Sequence, residues 1–148
     1  MRTIETSIQI DAPVARVWEV FSDFERYPEW NPFVASVEGR TAVGERIEAR
    51  LTPPGGKSMT FKPRVLAFEP EHEFRWLGHL LVPGLFDGEH QFFLEPAEED
   101  GTRFVQREEF RGILVPMVLK MVGESTRNGF DAMNAALKRR VEAAGSSG

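Results

Sequence analysis

Polar and apolar residues alternate with period two at the start of the chain. Ile4, Thr6, Ile8 and Ile10 share one face, with Thr3, Glu5, Ser7 and Gln9 on the other, which predicts a strand over Arg2–Ile10. The period then changes. Asp11 offers a capping oxygen, Pro13 suits a first helical turn, and Val14, Val17, Trp18 and Phe21 recur at helical spacing. Pro28 can open a second short helix, and Pro32 must end it.

Strand patterns follow over Val34 to Gly39, Glu45 to Leu51, Met59 to Phe68, Glu73 to Leu81, Glu89 to Leu94 and Thr102 to Phe110. Turn signals separate them at Gly44, Pro53-Pro54-Gly55-Gly56, Glu69-Pro70-Glu71, Val82–Gly88 and Glu98-Glu99-Asp100-Gly101. With the first, these make seven strands, mostly sequential and antiparallel. A last helix is predicted from Pro116 to Ala144, with Leu119, Val122, Thr126, Phe130, Met133, Leu137 and Val141 on one stripe. Leu114, Val118, Met121, Ser125 and Ala132 form a second stripe beside it. So wide a stripe suits burial by a concave sheet. The expected fold is α+β: a seven-stranded antiparallel sheet curved around a long C-terminal helix, with two short helices after strand one. That shape leaves an internal cavity.

The 148 residues read as one domain over 1–144, with Gly145-Ser146-Ser147-Gly148 set apart as a flexible tail or a cloning remnant. Twelve Phe and three Trp against one Tyr provide rigid apolar walls for a core or a pocket. A net charge of −5 without basic runs argues against nucleic-acid binding. No apolar run is long enough to span a membrane, and the N-terminal residues lack a signal-peptide core, so a cytoplasmic location is expected. The absence of cysteine removes disulfides and thiol catalysis. His72, His79 and His90 lack metal-ligand spacing, and no nucleophile elbow, dinucleotide fingerprint or phosphate loop is present, so neither metal nor cofactor is expected.

Several short motifs occur in order: Asp11-Ala12-Pro13-Val14 through Val17-Trp18, Trp30-Asn31-Pro32-Phe33, Val43-Gly44-Glu45, Gly88-Glu89-His90, Glu108-Glu109-Phe110-Arg111-Gly112 and Gly129-Phe130. In order and spacing the chain resembles, over residues 2 to 143, the polyketide cyclase/dehydrase-like branch of the START/Bet v 1-like (SRPBCC) superfamily. The resemblance implies a helix-grip fold. It also implies binding of lipids, hormones, polyketides or other apolar molecules, or cyclisation or dehydration of polyketides.

The candidate site lies on the sixth and seventh strands. His90, Phe92 and Leu94 share one face, as do Phe104, Gln106, Glu108 and Phe110. Closing the hairpin through residues 98–101 pairs Leu94 with Phe104, Phe92 with Gln106 and His90 with Glu108. An imidazole and a carboxylate would then meet inside the grip, where burial disfavours each charge and proximity favours an ion pair. Such a pair can fix strand register, anchor a ligand hydroxyl or carbonyl, or act as acid and base in enolising or dehydrating a ketone. Phe74 and Trp76, with Met59, Phe61 and Val65, share the inward phase. Met121, Phe130 and Met133 face them from the helix. Trp30 and Asn31 are expected to close the cavity floor or lock the short helices. Leu85 and Phe86, between Gly84 and Gly88, are expected to form a hinged rim.

The leading expectation is binding of a hydrophobic, partly oxygenated, lipid- or polyketide-like small molecule by a monomer or weak homodimer. One alternative is a cofactor-independent cyclase or dehydratase using His90 and Glu108. Another is an interaction module of the chaperone-cofactor kind.

Overall fold

The period-two alternation of Ile4, Thr6 and Ile10 buries one face of a nine-residue first strand, β1 (Arg2–Ile10). The computed structural model describes residues 2–80 and 82–146. β1 pairs along its length with β8 (Gly101–Arg111), Arg2 opposite Phe110 and Ile10 opposite Thr102. Next come β7 (Phe86–Ala97), β6 (Glu73–Leu80) and β5 (Arg64–Glu69), giving a five-stranded antiparallel sheet ordered β1-β8-β7-β6-β5. A second sheet holds β2 (Val34–Glu38), β3 (Glu48–Leu51) and β4 (Met59–Phe61). Against these lie α1 (Val14–Phe21), the four-residue α2 (Tyr27–Trp30) and the 32-residue α3 (Val115–Ser146), which takes in Gly145 and Ser146.

Among the described residues the structure thus has eight strands in two sheets where seven were predicted. The expected strand Met59–Phe68 is two strands because Pro63 brings no N–H to a ladder. The Pro63 carbonyl still accepts from Ile47 N at 3.0 Å, and Val65 N donates to Glu45 O at 2.9 Å. The break therefore stitches the two sheets together. Asp11 does not cap α1. The N-cap position is Pro13, without a side-chain bond, and the Asp11 amide instead donates to Glu142 Oε2 on α3 at 2.9 Å. α2 ends before Asn31, as Pro32 requires, and Asn31 Oδ1 accepts from the amides of Phe33 and Val34 at 3.0 and 2.9 Å. Those bonds turn the chain into β2. Leu81, expected in the strand that begins at Glu73, lies outside the described residues.

Of the hollow expected between Phe130 and Met133 on one side and Phe74, Trp76, Phe92 and Phe104 on the other, the part at Phe74, Phe92 and Phe104 is filled. Phe21, at the end of α1, is fully buried there, with ring centroids 5.2 Å from Phe92, 5.5 Å from Phe104 and 6.3 Å from Phe74. Trp18, one turn earlier, meets Phe68 at 5.4 Å. Gly129 lets Phe33 lie on α3: a Cβ there would stand 2.5 Å from the Phe33 ring. Met121, expected at the ligand site, faces away from it. It is 77% exposed, because it sits about 200° around the helix from buried Leu119.

Candidate functional site

The space that remains lies toward the N-terminal half of α3, beneath β6, β7 and β8. It is a cavity of about 290 Å³. Two glycines help to make it. Gly78 on β6 and Gly88 on β7 stand directly opposite each other, and both line the cavity. Side chains are missing from that part of the wall, so the concave sheet gains depth. Met59, Phe61, Trp76, Phe86, His90 and Glu108, all expected at the site, line it. Phe33, Ala49, Leu51, Pro53, Pro63, His79 and Phe110 complete the side opposite the helix. Val118, Leu119, Val122, Ser125 and Thr126 form the helix side.

The remaining expected residues stand elsewhere. Phe74, Phe92, Phe104 and Met133 are buried in the aromatic core, not on the cavity wall. Phe130 and Gln106 sit behind His90. Leu85 does not line the cavity. Its carbonyl accepts from Leu114 N at 2.9 Å, and Ile113 N donates to Gly84 O at 3.3 Å, so Gly84 and Leu85 are tied to the start of α3. Gly88 is no hinge, since it is a paired residue of β7 between Gly78 and Phe110. Trp30 packs on Tyr27 at 5.1 Å, beside the short helices and away from the cavity.

The hairpin register is the expected one: His90 opposite Glu108, Phe92 opposite Gln106 and Leu94 opposite Phe104. His90 is 1% exposed, stacked on Phe92 at 4.2 Å and flanked by Trp76 and Phe130 at 5.4 and 4.7 Å. Its Nε2 lies 2.9 Å from Gln106 Oε1. Gln106 Nε2 donates to the Phe130 carbonyl at 3.1 Å and to Asn134 Oδ1 at 2.8 Å, and Asn134 Nδ2 donates to Thr6 Oγ1 at 2.9 Å. Buried polar groups thus run in one hydrogen-bonded chain from β1 through α3 to His90 Nε2 at the cavity wall.

His90 Nδ1 stands 3.7 Å from Glu108 Oε1, beyond hydrogen-bond length. The carboxyl of Glu108 leans over Gly88, where an added Cβ would come within 2.3 Å of Oε2. The ion pair expected from proximity does not form, because desolvation outweighs attraction. Burial pushes the Glu108 carboxyl up to about 8. It pulls the His90 imidazole down to about 4, the Gln106 bond opposing it only in part. At neutral pH the cavity therefore presents a neutral imidazole beside a protonated acid. At the mouth, His79 Nδ1 lies 2.7 Å from Asp87 Oδ1, and Asp87 also accepts from Gly84 N. These bonds hold the Asp87 carboxyl below its usual range, the His79 bond contributing most.

A larger groove of about 450 Å³, between α1 and the far end of α3, is lined by Arg16, Arg26 and Arg140. Each guanidinium is paired with a neighbouring carboxylate: Arg16 with Glu19 at 3.0 Å, Arg26 with Asp23 at 3.2 Å and Arg140 with Glu29 at 2.8 Å. It is a solvated, charge-balanced cleft, and the smaller apolar cavity is the candidate site.

Reasoning from sequence missed the cavity roles of Gly78, Gly88 and His79, although the two glycines had a readable signal. Gly78 and Gly88 fall in phase with Trp76 and His90 on their own strands, where an inward glycine leaves a void.

An antiparallel sheet gripping a long helix around an apolar cavity defines the helix-grip class. Residues 1–142 match the family described as polyketide cyclase/dehydrase and lipid transport, and the chain belongs to it. No curated protein sequence matches the chain. Among solved structures it is similar to TTHA0849 from Thermus thermophilus, at 21% identity and a TM-score of 0.73 over 97% of this chain and 99% of that one. A START superfamily protein from Mycobacterium smegmatis aligns at 21% identity and a TM-score of 0.69, over 95% of this chain and 97% of that one. The di-domain ARO/CYC BexL of the BE-7585A biosynthetic pathway aligns at 17% identity and a TM-score of 0.72, over 93% of this chain and 47% of BexL. These likenesses carry the fold. Family membership supports a role in binding a hydrophobic ligand or in cyclase chemistry.

Proposed function

We propose that the protein binds an apolar, partly oxygenated small molecule in the cavity beneath β6–β8. One observation carries this reading. A space of about 290 Å³ is walled by apolar side chains, and His90 and Glu108 give it a polar end. Its volume falls just under the roughly 300–1,000 Å³ range of ligand pockets, which favours a compact ring system or single short chain over a two-chain lipid. The test is titration with N-phenyl-1-naphthylamine, a neutral apolar dye that brightens on leaving water. Saturable one-to-one binding is expected, and it should be lost in Gly78→Leu, whose side chain would fill the void. Absence of saturable binding, or unaltered binding in that variant, sinks the proposal.

The pair favours a second reading. Environments that push a base down and an acid up leave both in working form at pH 7, as acid–base catalysis requires. In that reading the protein is a cyclase or dehydratase in which His90 Nδ1 takes a proton from the carbon beside a ketone and Glu108 donates one to the departing oxygen. Turnover of a poly-β-ketone by wild type, reduced about 10²-fold or more in both His90→Gln and Glu108→Gln, distinguishes catalysis from binding.

A further inference from the structure

We infer that the polar end of the cavity selects a hydroxyl that donates to His90 Nδ1 on an uncharged ligand, and that Gln106 and Asn134 are the positioning residues that impose this choice. The inference rests on the ligand-binding reading above and names the chemical class of the occupant: an apolar phenol, enol or alcohol.

The Phe130 carbonyl oxygen can only accept, and it stands 3.1 Å from the Gln106 side-chain amide. That amide must present its NH2 there. The same NH2 reaches Asn134 Oδ1 at 2.8 Å, and Asn134 commits its own NH2 to Thr6 Oγ1 at 2.9 Å. Gln106 is left with its oxygen toward His90 Nε2 at 2.9 Å, and an amide oxygen only accepts. The ring proton therefore sits on Nε2. A neutral imidazole carries one such proton, so Nδ1 is a bare lone pair. Among the described residues Nδ1 has no hydrogen-bond partner, the nearest carboxyl oxygen being 3.7 Å away over Gly88. A buried ring thus aims an unused acceptor at a largely apolar space, whose other polar wall residues are Glu108, His79, Ser125 and Thr126.

What satisfies that acceptor is a donor. A hydroxyl can donate to Nδ1 and accept from the Glu108 acid at once. A ketone can accept from Glu108 but leaves Nδ1 unsatisfied, which lowers affinity. A carboxylate is worse. Among the described residues no lysine or arginine lines the cavity, and the only other titratable wall residue, His79, is engaged by Asp87.

The experiment uses four probes on one ring system, measured by calorimetry at pH 7: naphthalene, 2-naphthol, 2-acetylnaphthalene and 2-naphthoate. Naphthol should bind about three- to tenfold tighter than naphthalene, acetylnaphthalene no tighter than naphthalene, and naphthoate at least about tenfold weaker. In Gln106→Leu the naphthol preference should vanish while naphthalene still binds, which also reports that the variant folds. Long-range proton–nitrogen NMR of wild type should show protonated Nε2 and bare Nδ1 on His90, with Nδ1 shifting on naphthol addition. Equal affinity for naphthol and naphthalene, preference for the ketone or carboxylate, a proton on Nδ1, or an unchanged naphthol preference in Gln106→Leu overturns the inference while leaving the binding site standing. Failure of all four probes to bind removes both.

Discussion

Glu108→Gln should stabilise the protein at neutral and alkaline pH, against the usual expectation for loss of a buried polar pair. In the unfolded chain the carboxyl ionises near its ordinary 4.5, and in the folded protein near 8. Between those values the unfolded state has released a proton that the folded state keeps. Fewer protons bound in the unfolded state means that stability falls as pH rises, by about 1.4 kcal/mol per unit across the window. Multiplying by the interval from 4.5 to 7 gives a cost on the order of 3 kcal/mol at pH 7. This is an upper figure, since 17% of the side chain remains exposed. Glutamine keeps the shape and cannot ionise. His90 runs the other way: its pKa is lowered from 6.5 to about 4, so stability is present above 6.5 and lost as pH falls toward 4. That loss is common to both proteins and cancels in the difference. Urea unfolding at pH 5, 6, 7 and 8 should show a variant nearly level with wild type at pH 5 and pulling ahead steadily to pH 8. A difference that is flat with pH would refute the claim that desolvation governs this carboxyl.

Gly88→Ala should cost little stability, because the atom it meets is the end of a flexible side chain. It should nevertheless push the Glu108 acid off its seat and weaken naphthol binding toward that of naphthalene; unchanged discrimination would count against the seat. Phe21→Ala should lose about 3–5 kcal/mol in denaturant unfolding, since that ring plugs the aromatic end of the grip; a loss under about 1 kcal/mol would mean the space is not solidly packed. Gly129→Ala should destabilise by about 1–3 kcal/mol by driving a methyl into the Phe33 ring, and a neutral result in the same assay would show that Phe33 can slide at no cost.

The pairing of His90 with Glu108 was legible because hairpin closure is a counting problem. Once the chain turns at residues 98–101, every opposed pair follows, and the structure keeps that count from Ala97–Gly101 to Asp87–Arg111. Glu99 and Asp100 turn it in the left-handed region, at φ 58 and 59. The break at Pro63 had a sequence signal as well, since proline within a strand pattern has no amide for the ladder. The charge state of the pair was not legible. It depends on how dry the site is, and that depends on Phe92, Trp76 and Phe130 packing against one imidazole from three elements. Nor was the cavity's position. Phe74, Phe92 and Phe104 share the inward phase with Trp76 and His90, and only the reach of α1 decides which of them meets Phe21 and which faces empty space.

That division explains why one fold is solid at one end and hollow at the other. Where α1 crosses, large inward residues on the sheet meet Phe21 and Trp18 and leave no room. Beyond α1 small residues stand among the large ones: Gly78 and Gly88 on the sheet, Ala49 on β3, and Ser125 and Thr126 on α3, beside Trp76, Phe86 and Phe110. There a void of about 290 Å³ persists between α3 and the sheet residues that line it. His90 and Glu108 stand at the boundary. His90 is dry on the side that meets Phe92 and the Gln106 chain and unsatisfied on the side that meets the void. A purely structural pair would gain most by closing the 3.7 Å gap and bonding to itself. Instead Gly88 gives the carboxyl a seat away from the ring, and Gln106 holds the ring with its bare nitrogen turned to the cavity. Both features sacrifice stability to keep two polar groups apart, and a ligand group placed between them is what would restore it.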